Sequence, residues 1–325
     1  MSPSFCSGRF SVALFLVISA VPISYLVSLE RAVPSTHVFS YQSSGFFREC
    51  AKWDDVGRRF LVSFMDGGGI GEVVPSDDGD IGALREVTLV KDADLAGNAS
   101  LGIVIDRDRN RLLVAVADLF GNRYSALAAY DMYTWRRVFL AELSGQSKEK
   151  SFADDVAVDA RGNAYVTDAK GSKIWKVDVN GELVSTIESP LFTPRGWYNN
   201  LVALNGIVYH PDGFLIVIHT FSGLLYKIDL TDDKVTVVEV TGGTLRFGDG
   251  LELLSRTKIV VAGSPSARLV ESSDGWRTAT VTGWFSTGMV HRIVSSATVK
   301  EGRVYLNHIV GFGSKKRHLL VEAVF

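Results

Sequence analysis

Four oxygen-bearing side chains recur at one point of a repeated pattern: Glu49, Asp154, Asn205 and Asp249 each stand just ahead of a short β-branched or aromatic run that ends in a turn. Three carboxylates and an amide drawn together away from water repel one another unless a cation sits among them. A donor set of oxygens alone, without cysteine or histidine, favours a hard ion, and Ca²⁺ tolerates the irregular, water-completed shell such a set would offer. Acidic and amide residues also precede strands simply as turn formers. The matched offset of all four favours the metal, with another divalent cation as the variant of that reading.

The elements that would bring these residues together are strands. From Asp154 onward, Val156 to Val158, Ala164 to Thr167, Lys173 to Val177 and Leu183 to Ile187 are β-forming runs separated by turns at Gly162, Gly171 and Gly181, which is one antiparallel meander. The plan repeats from Asn205, and comparable units open at Glu49, Leu101, Asp249 and near Ala297, with a period of roughly fifty residues. Four strands per unit and six units predict an all-β chain: a six-bladed β-propeller of four-stranded antiparallel blades. The sixth unit lacks a strand, and residues 37–41 form a strand with no local partner, so that N-terminal strand is expected to pair with the last blade and close the ring. Two β-sandwiches, the competing arrangement, would not explain the shared offset. First strands of propeller blades line the channel, so the four oxygen donors are expected to converge on its axis. No sustained helical period appears after the leader, and helices should be few.

The leader is residues 10–29, almost wholly apolar, with Arg9 before it and Glu30 and Arg31 after it. That pattern fits a secretory signal peptide, and its length also suits an N-terminal membrane anchor; Pro22 favours the signal. Residues 1–31 are therefore expected to be a signal peptide or anchor and residues 32–325 the propeller, placing the domain in the secretory pathway, extracellular or in an endomembrane lumen, with membrane contact only through an uncleaved leader. Only Cys50 lies outside the leader, so no internal disulfide forms after cleavage. Asn98-Ala99-Ser100 is an N-glycosylation acceptor, Asn98 carrying the sugar. The 34 basic and 36 acidic residues nearly cancel, which argues against nucleic acid as a partner. The glycines from Gly67 to Gly71 lack the Lys-Ser of a phosphate loop, and neither a Gly-x-Ser-x-Gly elbow nor a His-Glu-x-x-His zinc motif occurs.

Glu49 with Trp53, Asp154-Asp155, Asn205-Gly206-Ile207 with Pro211-Asp212-Gly213, and Asp249-Gly250 resemble the motifs of the regucalcin/gluconolactonase superfamily of six-bladed propellers, which includes calcium-dependent phosphotriesterase-like proteins. The resemblance implies Ca²⁺ held by Glu49, Asn205 and Asp249 with Asp154 nearby, and hydrolysis of an ester or lactone in the channel. The ion would polarise the carbonyl or phosphoryl oxygen while Asp249 activates water or attacks directly. Phe152 stands where sugar-lactone members carry arginine, which points to a less polar small-molecule substrate, and Asp154 stands where asparagine is commoner. The alternative is a metal-stabilised propeller acting as a binding or scaffold module without turnover. A metal-free propeller resembling strictosidine synthase is a third reading, against which the four oxygen donors weigh.

Overall fold

The computed structural model describes residues 5–31, 34–75, 84–145 and 149–325. Helix α1 (Phe5–Arg31) comes first, and its described apolar side chains, such as Phe15 and Val21, are exposed rather than packed on the sheets. Among the described residues no helix is long and apolar enough to cross a membrane. The domain boundary expected at residues 31 and 32 abuts residues 32–33, which lie outside the described residues.

Strand β1 (Val38–Gln42) is followed by a first meander of β2 (Arg48–Asp54), β3 (Arg59–Phe64), β4 (Ile70–Val73) and β5 (Leu84–Val90). The second holds β6 (Ala99–Asp106), β7 (Arg111–Ala117), β8 (Ser125–Asp131) and β9 (Arg137–Glu142), and the third β10 (Ala153–Val158), β11 (Ala164–Asp168), β12 (Lys173–Val177) and β13 (Leu183–Glu188). The fourth holds β14 (Leu204–His210), β15 (Phe214–His219), β16 (Leu225–Asp229) and β17 (Val235–Thr241), and the fifth β18 (Gly248–Ser255), β19 (Lys258–Gly263), β20 (Ala267–Glu271) and β21 (Thr278–Phe285). The chain closes with β22 (Val294–Lys300), β23 (Arg303–His308) and β24 (Arg317–Ala323). β1 supplies the missing fourth strand, antiparallel to β24 with Val38 opposite Val321.

One expectation is corrected. The blades are not all separate sheets, because β1 also runs parallel beside β5 and β17 parallel beside β21. The hydrogen-bonded result is two eight-stranded and two four-stranded sheets. An outer strand exposes a row of unpaired N–H and C=O groups, and here two pairs of outer strands satisfy part of that row with each other.

The first strands of the meanders are neighbours in the cyclic order β2, β6, β10, β14, β18, β22 and back to β2. Apolar side chains fill the spaces between successive sheets: Leu61 with Ile103 and Leu112, Val166 and Trp175 with Leu113 and Leu127, Ile216 with Val261 and Trp276. The inner strands meet across the ring by side-chain bonds as well, Ser296 Oγ accepting from Ala51 N at 3.1 Å and Thr298 Oγ1 from Trp53 N at 2.8 Å.

Every inner strand shifts register near its start, between Arg48 and Ala51, Ser100 and Ile103, Ala153 and Val156, Leu204 and Ile207, Gly248 and Leu251, and Val294 and Ser296. Such a bulge re-aims the side chain it carries. Two of the residues that follow the expected donors, Gly206 and Gly250, face the backbone of the next inner strand. A Cβ on Gly206 would collide with the backbone oxygen of Asp249, and one on Gly250 would lie 2.7 Å from that of Ser295. These glycines let adjacent inner strands approach each other. Gly206→Ala is expected to cost about 1–3 kcal/mol of unfolding free energy, from backbone displacement alone; chemical denaturation measures it, and an unchanged midpoint would show that β14 and β18 have room to spare.

Candidate functional site

The bulges place Glu49, Leu101, Asp154, Asn205, Asp249 and Ser295 at equivalent points of the six inner strands. Glu49, Asp154 and Asn205 are buried and Asp249 is half-buried. Their carboxyls share one field: burial and then the charges of Asp249 and Asp154 push Glu49 well above the usual carboxylate range, and burial followed by Asp249 and Asp155 does the same to Asp154. Asp249 is pushed up to about 7 by burial and then by Asp155, partly offset by a hydrogen bond from the Asn205 side chain. The structure thus brings all four sequence-identified residues together. Sequence reasoning missed Ser295, which lies two residues ahead of the unit start assigned at Ala297. The doublet Ser295-Ser296, placed as Asp154-Asp155 is placed, was the available signal.

Several members are held by hydrogen bonds from the second strand of the preceding meander around the ring. Asn307 Nδ2 on β23 donates to the carbonyls of Arg48 at 2.8 Å and Glu49 at 2.9 Å and to Ser295 Oγ at 3.1 Å, and Ser295 Oγ donates to the Glu49 carbonyl. Thr167 Oγ1 on β11 accepts from Asp155 N at 3.1 Å and donates to the Asn205 carbonyl at 2.7 Å, tying the third and fourth inner strands. Buried Arg48 makes a fork to Glu86, Nε to Oε2 at 2.6 Å and Nη2 to Oε1 at 2.9 Å, with Nη1 on Asp66 at 2.6 Å. That fixes the approach to Glu49 and, against the opposing pull of burial, holds the Glu86 carboxyl below its ordinary range. Asp168 collects the N–H groups of Phe152, Lys170 and Gly171 and so fixes the start of β10 ahead of Asp154.

Leu101 makes one sector of the ring apolar. It packs with Ala99 and Ala117, and Met65, Leu119 and Phe152 lie against that cluster. Along the channel from the ring lies a cavity of about 180 Å³ lined in part by Lys52, Asp155, Tyr209 and Glu252. Lys52 Nζ donates to Glu252 Oε2 at 2.5 Å and to the Ala297 carbonyl at 3.1 Å, joining strands of the first, fifth and sixth meanders. Burial alone would lower its pKa, but Glu252 and the nearby acids hold it above the ordinary lysine value. Asp155 rises to about 6, mainly through burial, while Lys52 and the N–H groups of Val156 and Ile207 pull the other way.

Whether the ring suits a cation can be judged from its own atoms. Glu49 Oε2 is buried without a hydrogen-bond partner, and the donors are oxygens throughout, which fits a hard ion. Among the described residues, however, no group of three or more His, Cys, Asp or Glu is arranged as a ready metal cage. Coordination would have to include Asn205, backbone oxygens or water.

His219 and His308, at the mouth ends of β15 and β23, are fully buried, and burial lowers them to about 4 and about 3, so both are neutral near pH 7. His308 Nε2 lies 3.1 Å from Thr287 Oγ1. Trp197 and Tyr198 occupy a short helical turn before β14 and are exposed. Asn98 is half-buried, and the hydroxyl of Ser100 in its acceptor triplet is buried, accepting from Gly69 N at 2.9 Å.

No protein-family model matches the chain, and no curated protein matches it by sequence. Solved structures do match in shape. The major allergen Mala s 1 of Malassezia sympodialis has a TM-score of 0.70 at 17% identity, covering 90% of this chain and 97% of its own. A catalytically inactive virginiamycin B lyase from Staphylococcus aureus, crystallised with quinupristin, has a TM-score of 0.58 at 11% identity, over 86% of this chain and 82% of that one. A streptogramin B lyase gives 0.56 at 11%, over 89% and 98%. Together with the blade pattern, these likenesses show a β-propeller fold.

Two outcomes follow from the electrostatics. Asp155 and Asp249 rise from 3.8 to about 6 and about 7. A carboxyl whose folded pKa is raised adds stability that is complete below the unfolded pKa and is lost as pH climbs through the folded one. The metal-free protein should therefore melt at progressively lower temperature from about pH 4 to about pH 7, and Asp249→Asn should flatten that decline; a rising curve would contradict the shared field. Separately, Lys52→Met should cost about 2 kcal/mol, discounted for partial exposure, by leaving Glu252 unpaired. Lys52→Met with Glu252→Leu should recover most of the loss in urea unfolding.

Proposed function

We propose that the chain is a six-bladed propeller that holds Ca²⁺, or a similar hard divalent cation, among Glu49, Asp154, Asn205 and Asp249 and hydrolyses a fairly apolar ester or lactone at that ring. The observation that carries this reading is the unsatisfied Glu49 Oε2 within a buried set of acids whose mutual repulsion is only partly offset by Lys52 and Lys170. Ca²⁺, when bound, would supply Lewis-acid polarisation of the scissile carbonyl or phosphoryl oxygen.

The side chains account for the remaining needs of hydrolysis. Asp249, with a carboxyl at about 7 and oriented by the Asn205 amide, suits acceptance of a proton from attacking water near neutral pH. Leu101, Met65, Leu119 and Phe152 give the apolar part of a substrate a wall beside the acids. Lys52 and Glu252, bonded across the channel, restrict passage along the axis, so substrate would arrive from the end where the inner strands begin. A leader at residues 1–31 that directs the domain into the secretory pathway belongs to the same proposal.

A metal-stabilised propeller acting as a binding or scaffold module without turnover is the second reading, since the fold can hold an ion without catalysis. The lyases among the similar structures are enzymes, but at 11% identity their likeness carries only the fold. A panel of lactones, carboxylic esters and phosphotriesters, assayed with and without chelator, separates the two. Turnover that chelator abolishes and that Asp249→Asn lowers at least about 100-fold supports the hydrolase. Calcium-dependent melting with no turnover on any substrate supports the binding module, and melting indifferent to calcium and chelator removes the cation from both.

A further inference from the structure

The two rims of the ring differ in what their loops expose. Inner strands begin at the mouth rim, and the loops leading into them lie beside those joining second and third strands, as Phe247 N to Thr220 O at 2.7 Å and Gly311 N to Phe46 O at 2.8 Å show. On this rim four separate places pair a protruding aromatic with a nearby cation. Phe120 is 93% exposed with exposed Arg123 in the same loop, and Trp197 is 79% exposed with exposed Arg195 two residues before it. Phe247 follows exposed Arg246, and the ammonium of Lys316 lies 4.9 Å from the centre of the exposed Phe46 ring beside exposed Lys315.

Arg123, Arg195, Arg246 and Lys315 join no ion pair among the described residues; on the opposite rim several arginines are paired, although Arg136, Arg161 and Arg277 are not. There Arg107 meets Asp54 at 2.9 Å, Arg58 meets Glu301 at 3.0 Å, Arg109 meets Asp106 at 3.2 Å, and Arg256 is paired with Asp212. Free cations and aromatic tips thus share one face of a chain whose net charge is only −2.

We propose that this mouth rim docks on an anionic lipid bilayer, the aromatic tips entering the headgroup region and the cations meeting lipid phosphates and carboxylates. Aromatic rings with a polar neighbour suit the interface between water and hydrocarbon, and basic side chains draw a protein to anionic headgroups. The tips sit on distinct loops around the mouth, those before β2, β14 and β18 and that between β7 and β8. A fluid surface can receive such tips one by one, while a protein partner needs a contiguous packed core. The contact is independent of α1 and of the hydrolase reading, and it would place the mouth where sparingly soluble esters partition.

The test uses the full chain with vesicles of phosphatidylcholine alone or mixed with phosphatidylserine. Sedimentation should show binding to the mixed vesicles that weakens with salt, and Arg123→Glu with Arg246→Glu, or Phe120→Ser with Trp197→Ser, should each weaken it about tenfold or more. Unchanged melting of both double variants establishes that they are folded. The emission difference between wild type and Trp197→Phe should shift to the blue only with the mixed vesicles, a readout that α1 does not affect. Equal binding by wild type and variants, no vesicle binding, or binding to heparin with none to vesicles would each overturn the proposal.

Discussion

The close approach of six inner strands around one axis is the constraint from which the rest of this molecule follows. Each strand can come near its neighbour only where it bulges, and at that bulge the residue facing the adjacent strand must be small or able to bond to it. Gly102, Gly206 and Gly250 meet the first condition, and Asp155 and Ser296 meet the second by accepting N–H groups from the next inner strand, Ile207 at 3.2 Å and Ala51 at 3.1 Å. The preceding residue then has no freedom: its side chain is held at the ring level. That is how residues far apart in sequence come to be buried together, and burial first and their mutual repulsion second raise the Glu49 and Asp154 carboxyls well above the usual range.

Burial and charge work against each other along this axis, and the arrangement is layered. At the ring, acids accumulate with only partial compensation from Lys52 and Lys170. One step deeper, Lys52 balances Glu252 and partly restrains Asp155. A single lysine at the deeper level cannot neutralise both layers, since its ammonium is already committed to Glu252 and to the Ala297 carbonyl. The unmet demand is therefore local to the ring, which is why a cation or bound protons must enter any account of it.

Strand periodicity and turn glycines made the meanders legible in the sequence, and the alternating runs of the third and fourth units map closely onto β10 to β17. The unpartnered segment at residues 37–41 was enough to foresee the pairing of β1 with β24. Shared offset was also enough to gather Glu49, Asp154, Asn205 and Asp249. What periodicity could not reveal was anything depending on contact between units. The parallel bridges from β1 to β5 and from β17 to β21 arise from the geometry of outer strands, which leave no mark in local pattern. Ser295 was hidden because a hydroxyl does not resemble a carboxylate, although its bulge is equivalent. The need for glycine at 206 and 250 comes from the backbone of the next inner strand, which only the fold shows.

Those parallel bridges make the ring uneven. Blades six and one, and likewise four and five, are riveted along their outer strands, whereas β9 and β13 end their sheets, with half of β9 and nearly all of β13 exposed. Thermal opening should therefore concentrate in the second and third blades, where outer amides would trade deuterium soonest. Because Leu101 and Asp154 belong to those blades, the apolar wall and one acid of the ring sit on its most yielding arc, the side best able to widen for an incoming molecule.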